Sequence, residues 1–168
     1  MKSLTSYPNY KQIYLDESLR KGHEFEDFII TLFNERKFRL IEWRSDKKAS
    51  NGVYPESCTY PDLEFAFLGR QKHRFAVECK WRENFKDGKI KWSYQKQIET
   101  YLNYQSERNI PVFIAIGIGG APKNPEKLFV TPLHDIKDII KVSESDLLPY
   151  IRNPKHRFFY NTFQLKLF

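Results

Sequence analysis

The run Val112-Phe113-Ile114-Ala115-Ile116-Gly117-Ile118, closed by Gly119-Gly120, is the segment that most narrows what this chain can fold into. A strand with no polar residue on either face must be covered on both sides, so it belongs inside a sheet that other elements sandwich. Its neighbours fit such a sandwich. Ser93 to Arg108 sets Tyr94, Ile98, Tyr101, Leu102 and Gln105 on one helical stripe and ends before Asn109-Ile110-Pro111. From Asp16, an N-cap residue, to about Phe38, the apolar residues Leu19, Phe25, Phe28, Ile29, Leu32 and Phe33 recur at helical spacing and predict an amphipathic first helix. Between the helices lie a strand at Arg39–Trp43, a polar loop from Ser45 to Cys58 placed to gate the site beyond it, and two strand-like runs. Those runs, YPDLEFAFL and RFAVECKWR, flank the polar turn Gly69–His73, which is the pattern of a β-hairpin. The order helix, three strands, helix, strand predicts an α/β fold with a three-layer α/β/α core: a central mixed β-sheet flanked by helices. The second helix returns the chain to lay Val112–Ile118 beside the hairpin.

Beyond that core, Leu128–Thr131 reads as a short strand, His134–Val142 as a short helix, and Phe158–Phe168 as a closing strand or docked tail. Residues 1–15 read as an irregular, tyrosine-rich segment that packs on the domain or acts as an arm. No internal repeat or linker composition divides the chain, so residues 1–168 are expected to form one domain with a core at about 16–132 and a C-terminal extension at 133–168. A hydrophobic fraction of 40% with only seven glycines argues for a folded globule rather than a disordered chain. The formal charge of +7 favours a polyanionic partner. Cys58 and Cys79 are the only cysteines; Cys79 reads as a core-facing strand residue, and two cysteines cannot make a four-cysteine zinc or iron–sulfur site. With no apolar run of signal-peptide or membrane-spanning length, the expectation is a reduced, cytoplasmic protein with no membrane partner. His23, His73, His134 and His156 lack metal-ligand spacing and are expected at the surface.

Side chains alternate along a strand, so Glu78 and Lys80 share a face with Ala76 while Phe75, Val77, Cys79 and Trp81 face a core. The hairpin brings Asp62, entering its first strand, to the same edge. Two acids and an ammonium suit metal-assisted phosphodiester hydrolysis, because Mg²⁺ takes one or two carboxylates and keeps positions for water and a phosphate oxygen. The plain alternative is a surface ion pair on a half-exposed strand. On the first helix, advancing ~100° per residue from Phe25 puts Glu26 on the flank of the buried stripe and aims it at the sheet, with Glu24 farther round. On the second helix Gln97 and Tyr101, four apart, share a face. Lys80, Trp81, Arg82, Lys86, Lys89, Lys91, Trp92, Tyr94 and Lys96 alternate cations with rings, a composition suited to phosphate contact and base stacking or, alternatively, a solvated loop with two rings beneath it.

Gly22-His23-Glu24-Phe25-Glu26, Pro61-Asp62, Glu78-Cys79-Lys80 and Gln97-Ile98-Glu99-Thr100-Tyr101, in that order, resemble the motifs of the PD-(D/E)XK nuclease superfamily, which has the restriction-endonuclease-like fold. The leading GxxxE and the closing QxxxY are similar to its RecB-type branch, and the Gly-x-x-Phe-Glu start to modification-dependent restriction enzymes. The resemblance covers about residues 16–120. It implies Asp62, Glu78 and the Cys79 carbonyl as metal ligands, with Glu26 a further acidic ligand, direct or through water. Lys80 would be the catalytic lysine. Gln97 and Tyr101 would contact nucleic acid or steady that lysine, and Arg82, Lys91 and Trp92 would line the nucleic-acid groove. The implied activity is a Mg²⁺-dependent deoxyribonuclease of endonuclease type, with Mn²⁺ able to replace Mg²⁺. DNA is the expected partner, and a homodimer is the arrangement expected of an enzyme that cuts both strands. The iron–sulfur version of the RecB-type branch is excluded by cysteine count, and no separate reading domain is evident. The alternatives are a non-cleaving nucleic-acid-binding module of the same fold and an interaction protein whose basic face meets an acidic partner.

Overall fold

The computed structural model describes residues 10–44 and 59–168. The loop expected to gate the site, Cys58 and residues 1–9 therefore lie outside the described residues. Among the described residues ten strands and four α-helices occur in chain order, with a 3₁₀ turn at Leu148–Tyr150: α1 (Tyr10–Thr31), β1 (Phe38–Trp43), β2 (Leu63–Phe67), β3 (His73–Arg82), β4 (Lys89–Lys91), α2 (Gln95–Arg108), β5 (Val112–Ile118), β6 (Lys127–Pro132), α3 (Leu133–Ile136), β7 (Lys141–Ser143), α4 (Glu144–Leu147), β8 (Ile151–Arg152), β9 (Tyr160–Asn161) and β10 (Lys166–Leu167).

Six strands form the main sheet in the order β1-β2-β3-β5-β6-β8. Only β3 and β5 run parallel, with Glu78 beside Ile114 and Lys80 beside Ile116; the other neighbours are antiparallel. All seven residues of β5 are buried, as its composition requires. Phe113 and Ala115 face α1, while Val112, Ile114, Ile116 and Ile118 face α2. The two faces hold two separate cores. Phe25, Ile29, Leu32 and Phe33 of α1 pack on Phe65, Phe75 and Val77; Ile98, Tyr101 and Tyr104 of α2 pack on Ala76 and the isoleucines of β5. Fully burying one such side chain contributes roughly 1.5–3 kcal/mol, so packing rather than helix propensity fixes both layers. Gly117 has a packing role: a Cβ there would lie 2.4 Å from Phe25 Cε2, and its absence lets α1 approach the sheet.

Several elements differ from expectation. α1 starts at Tyr10, inside the segment read as irregular, and ends at Thr31, before Phe38. Tyr94 is not on the buried stripe of α2: it is the N-cap, with extended backbone (φ −119°, ψ 154°), and is 66% exposed, whereas Tyr104 takes the buried position. The helix ends as its sequence dictates, with Asn109 in the left-handed region (φ 53°) and its N–H donating to Gln105 O. The helix expected at His134–Val142 is only the single turn α3, after which the chain extends into β7. β7 pairs with β4, the strand hidden in the charged connection after β3. Residues 133–168 contribute to both cores. Leu133, Ile136, Val142 and Leu147 fill the α2-side core; Phe158, Tyr160 and Leu167 fill the α1-side core, and the Phe158 N–H caps Leu32 O at 2.8 Å.

Candidate active site

The hairpin register pairs Leu63 with Val77, and one further step sets Asp62 opposite Glu78. The chain parts from β3 at that point. Asp62 Oδ2 accepts the Cys79 N–H at 2.8 Å, and Asp62 O accepts the Arg44 N–H at 2.7 Å. The carboxylate is thus fixed by the strand that carries Glu78 and by the end of β1. Glu78 is 1% exposed and points to the α2 side, where Lys80 Nζ pairs with its Oε1 and the Tyr101 hydroxyl hydrogen-bonds to the carboxylate. Glu26 enters from the α1 side, where Trp43 Nε1 donates to its Oε2 at 2.6 Å. The three acids and the lysine therefore converge on one edge from three directions.

Burial first, then the charges of Glu78 and Glu26, push the Asp62 carboxyl well above its usual range; Lys80 and the Cys79 N–H oppose that shift. Lys80 is moved the other way. Burial works to lower its pKa, but Glu78 and Asp62 outweigh it and hold the ammonium charged. Burial, reinforced by Glu78 and Asp62, also keeps the Tyr101 phenol neutral and the Cys79 thiol protonated. Glu78 Oε2 is buried and has no hydrogen-bond partner, an arrangement that costs free energy unless a cation occupies the position. Among the described residues no group of three or more His, Cys, Asp or Glu side chains is placed to hold a metal ion. Two neighbouring carboxylates, Asp62 and Glu78, would instead leave most of a coordination sphere to solvent and substrate. This donor set fits a hard, hydrated divalent cation.

The expected nucleic-acid contacts divide into two groups. Arg82 and Lys91 line the cleft that opens over Asp62 and Lys80, a space of about 830 Å³ whose walls also carry Lys21, Lys86, Lys89 and Lys141. Arg82 is anchored there by donating to Trp81 O at 2.8 Å and Lys91 O at 3.1 Å. Trp92 is a correction: it is 1% exposed and its Nε1 donates to Ile139 O at 2.5 Å, so its ring packs under the cleft and offers no stacking surface. Tyr101, equally buried, cannot touch nucleic acid, and of its two implied roles only steadying Lys80 through Glu78 is open. Gln97 is turned into the protein, its Oε1 accepting from Ser93 Oγ at 2.7 Å. His23 is not a surface residue either; it lines the cleft and its Nε2 is buried. His73 is half-buried, and His134 and His156 are exposed.

A second buried charge cluster had no sequence signal. Glu64, 2% exposed, receives Arg44 at 2.6 Å and the Tyr104 hydroxyl at 2.7 Å on Oε2, and Arg74 at 2.6 Å on Oε1. Arg44 also donates to Pro61 O at 2.9 Å, and lies over the rings of Tyr60 and Tyr104. Its partners thus flank Asp62 on both sides in sequence. The charged pattern YPDLE could have raised Glu64, but nothing local joins it to residues 44, 74 and 104.

No family model and no curated protein matches the chain. No helix among the described residues is long and apolar enough to cross a membrane. Among solved structures the chain is similar to Hjc of Archaeoglobus fulgidus, described as a Holliday junction resolvase from an archaeal hyperthermophile. The TM-score is 0.52 at 20% sequence identity, and the match covers 76% of this chain and 93% of that one. With helices on both faces of a mixed sheet, this chain has the restriction-endonuclease-like fold.

Proposed function

We propose that the protein is a Mg²⁺-dependent endonuclease that hydrolyses DNA phosphodiester bonds. The observation that carries this is the buried Glu78 Oε2, which has no hydrogen-bond partner, beside an Asp62 whose charge burial and two acids oppose and which lines a cleft rich in lysine. Asp62, Glu78 and the Cys79 carbonyl would hold the ion, with Glu26 acting across the edge, direct or through water. When bound, Mg²⁺, or Mn²⁺ in its place, polarises a phosphate oxygen and acidifies water. Lys80, kept as an ammonium by Glu78, donates from Nζ to the attacking water or to the phosphate oxygens, fixing the in-line direction and offsetting charge that grows in the transition state. Tyr101 holds the Glu78 carboxylate, and through it Lys80. The resolvase activity named for the Archaeoglobus protein makes DNA the first substrate to try, including branched DNA, and a homodimer would supply a second site for the opposite strand.

The test is cleavage of supercoiled, linear and branched DNA in Mg²⁺, in Mn²⁺ and in chelator, with Lys80→Ala alongside. Metal-dependent cleavage that falls by at least about 100-fold in Lys80→Ala, with DNA binding retained, is expected. Cleavage that persists in chelator or in Lys80→Ala would refute the proposal. Binding by both proteins without any cleavage would favour a non-cutting module of the same fold.

A further inference from the structure

Opposite α1 the cleft is walled by the two-stranded ribbon of β4 and β7, which the core motifs do not include. In its register Lys89 faces Ser143, Ile90 faces Val142, and Lys91 faces Lys141. Ile90 and Val142 are buried in the α2-side core, so strand alternation turns Lys89, Lys91, Lys141 and Ser143 to the other face. All three of these lysines are exposed, and all three line the cleft together with Asp62, Lys80 and Arg82. Like charges directly opposite on an antiparallel pair destabilise it. Among the described residues, neither Lys89, Lys91 nor Lys141 forms an ion pair. The nearby acids are engaged otherwise: Asp146 closes the capping box of Ser143, with Lys89 acting on it only at longer range, and Glu144 pairs with Lys127. Asp87 sits in the turn, where its φ of 51° and the 72° of Gly88 fold β4 back on Lys86.

The ribbon is closed by its own hydrogen bonds and tied to β3 through Arg82. Trp92 N–H and Nε1 donate to Ile140 O and Ile139 O, and Arg82, two residues beyond Lys80, donates to Lys91 O. Lys91 Nζ lies 3.5 Å from the centre of the exposed Tyr94 ring, which places a flat aromatic surface at the end of the row.

We infer that the β4–β7 ribbon is a phosphate clamp: Lys89, Lys91 and Lys141 bind backbone phosphates of the nucleic acid beside the scissile one, without regard to sequence. This rests on nucleic acid as the occupant of the cleft and not on its being cut. It gives the C-terminal part of the chain a direct contact with the substrate through Lys141.

The test measures binding of a labelled DNA duplex over a range of salt, with Asp62→Asn in every protein so that no strand is cut. The triple variant Lys89→Gln/Lys91→Gln/Lys141→Gln should lower the slope of log K against log salt by roughly 2.7, which is about 0.9 per lost contact. The corresponding arginine variants should keep the slope, and Lys37→Gln/Lys72→Gln/Lys155→Gln, equal in charge but outside the cleft, should change it by less than about 1. Lys141→Glu separates binding from folding: by facing Lys91 with an opposite charge it should raise the thermal midpoint while weakening DNA binding. An unchanged slope in the ribbon triple, an equal loss in the off-cleft triple, a lowered midpoint in Lys141→Glu or no DNA binding by the Asp62→Asn parent would overturn the clamp. Failure of the wild type to cleave, with these slopes as expected, would sink the nuclease alone.

Discussion

Arg44→Met removes a guanidinium whose side chain is only 9% exposed and that serves two acceptors, Glu64 Oε2 at 2.6 Å and Pro61 O at 2.9 Å. Methionine keeps most of the apolar stem, so the loss is largely electrostatic. Glu64 would keep Tyr104 and Arg74, but Arg74 is 52% exposed at the side chain and is partly screened by solvent. Breaking a buried pair by removing one partner costs about 3–5 kcal/mol, and the two surviving contacts place this case at about 3. For a domain of this size that is a fall in thermal midpoint of roughly 6–12 °C.

The cost should depend on pH with a definite sign. In the native protein burial tends to raise the Glu64 pKa, but the Tyr104 hydroxyl, Arg44 and Arg74 outweigh it and hold the carboxyl below its ordinary value. Its stabilising contribution is therefore complete above the unfolded pKa and is lost as pH falls through the depressed folded value. In Arg44→Met the burial effect gains relative weight, so the folded pKa rises. The penalty should be greatest near neutral pH and shrink through the acid range as Glu64 is protonated. Chemical denaturation of wild type, Arg44→Met and Arg44→Met/Glu64→Met between neutral and acid pH checks this. The double variant should recover much of the loss, because no buried charge is stranded. A penalty below about 1 kcal/mol at neutral pH, or one that does not vary with pH, would show that the cluster is not the brace its geometry describes.

Two further outcomes rest on the same packing and charge. Asp62→Asn should abolish cleavage yet raise the thermal midpoint of the metal-free protein by about 2–4 °C, equivalent to about 1 kcal/mol, because it removes a half-buried charge that Glu78 and Glu26 repel; differential scanning fluorimetry reads it, and a lower midpoint would contradict the repulsion. Gly117→Val should destabilise by about 1–3 kcal/mol or more and reduce activity with it, since the new side chain meets the Phe25 ring on the helix turn that carries Glu26; a stable, active variant would show that α1 is free to shift.

The sheet was legible where burial left no choice. Val112–Ile118 has no polar residue, Asn109-Ile110-Pro111 cannot continue a helix, and Glu78-Cys79-Lys80 alternates about a buried cysteine, so these elements and their relation are set by local patterns. The ribbon was not legible, because three residues such as Lys89-Ile90-Lys91 carry too little periodicity to announce a strand and its partner lies far along the chain. Trp92 reads as a groove residue because it sits among lysines; sequence neighbours do not reveal that its backbone and indole both bond to the 139–140 segment. The joining of Arg44 to Glu64 and of Trp43 to Glu26 is likewise tertiary, made only when β1 lies against β2 and α1.

What marks the cleft most clearly is an acidic group at its base and a row of three unpaired lysines on the ribbon that walls it. Glu26 and Asp62 lie on the floor, with Glu78 buried beside Asp62 and Lys80 as their near cation, while Lys89, Lys91 and Lys141 stand together on the wall without an ion pair among the described residues. A chain selected only to fold would lower its free energy by interleaving these groups, since each like-charged cluster opposes the native state. Local conflict of this kind persists where a ligand resolves it. The floor calls for a cation beyond Lys80 and the wall for a row of anions, and a phosphodiester strand carried with a hydrated divalent metal satisfies both at once. A hydrated divalent metal alone would satisfy the floor and leave the Lys91–Lys141 opposition unrelieved, so the basic row, more than the acid pair itself, argues for a polyanion in the cleft.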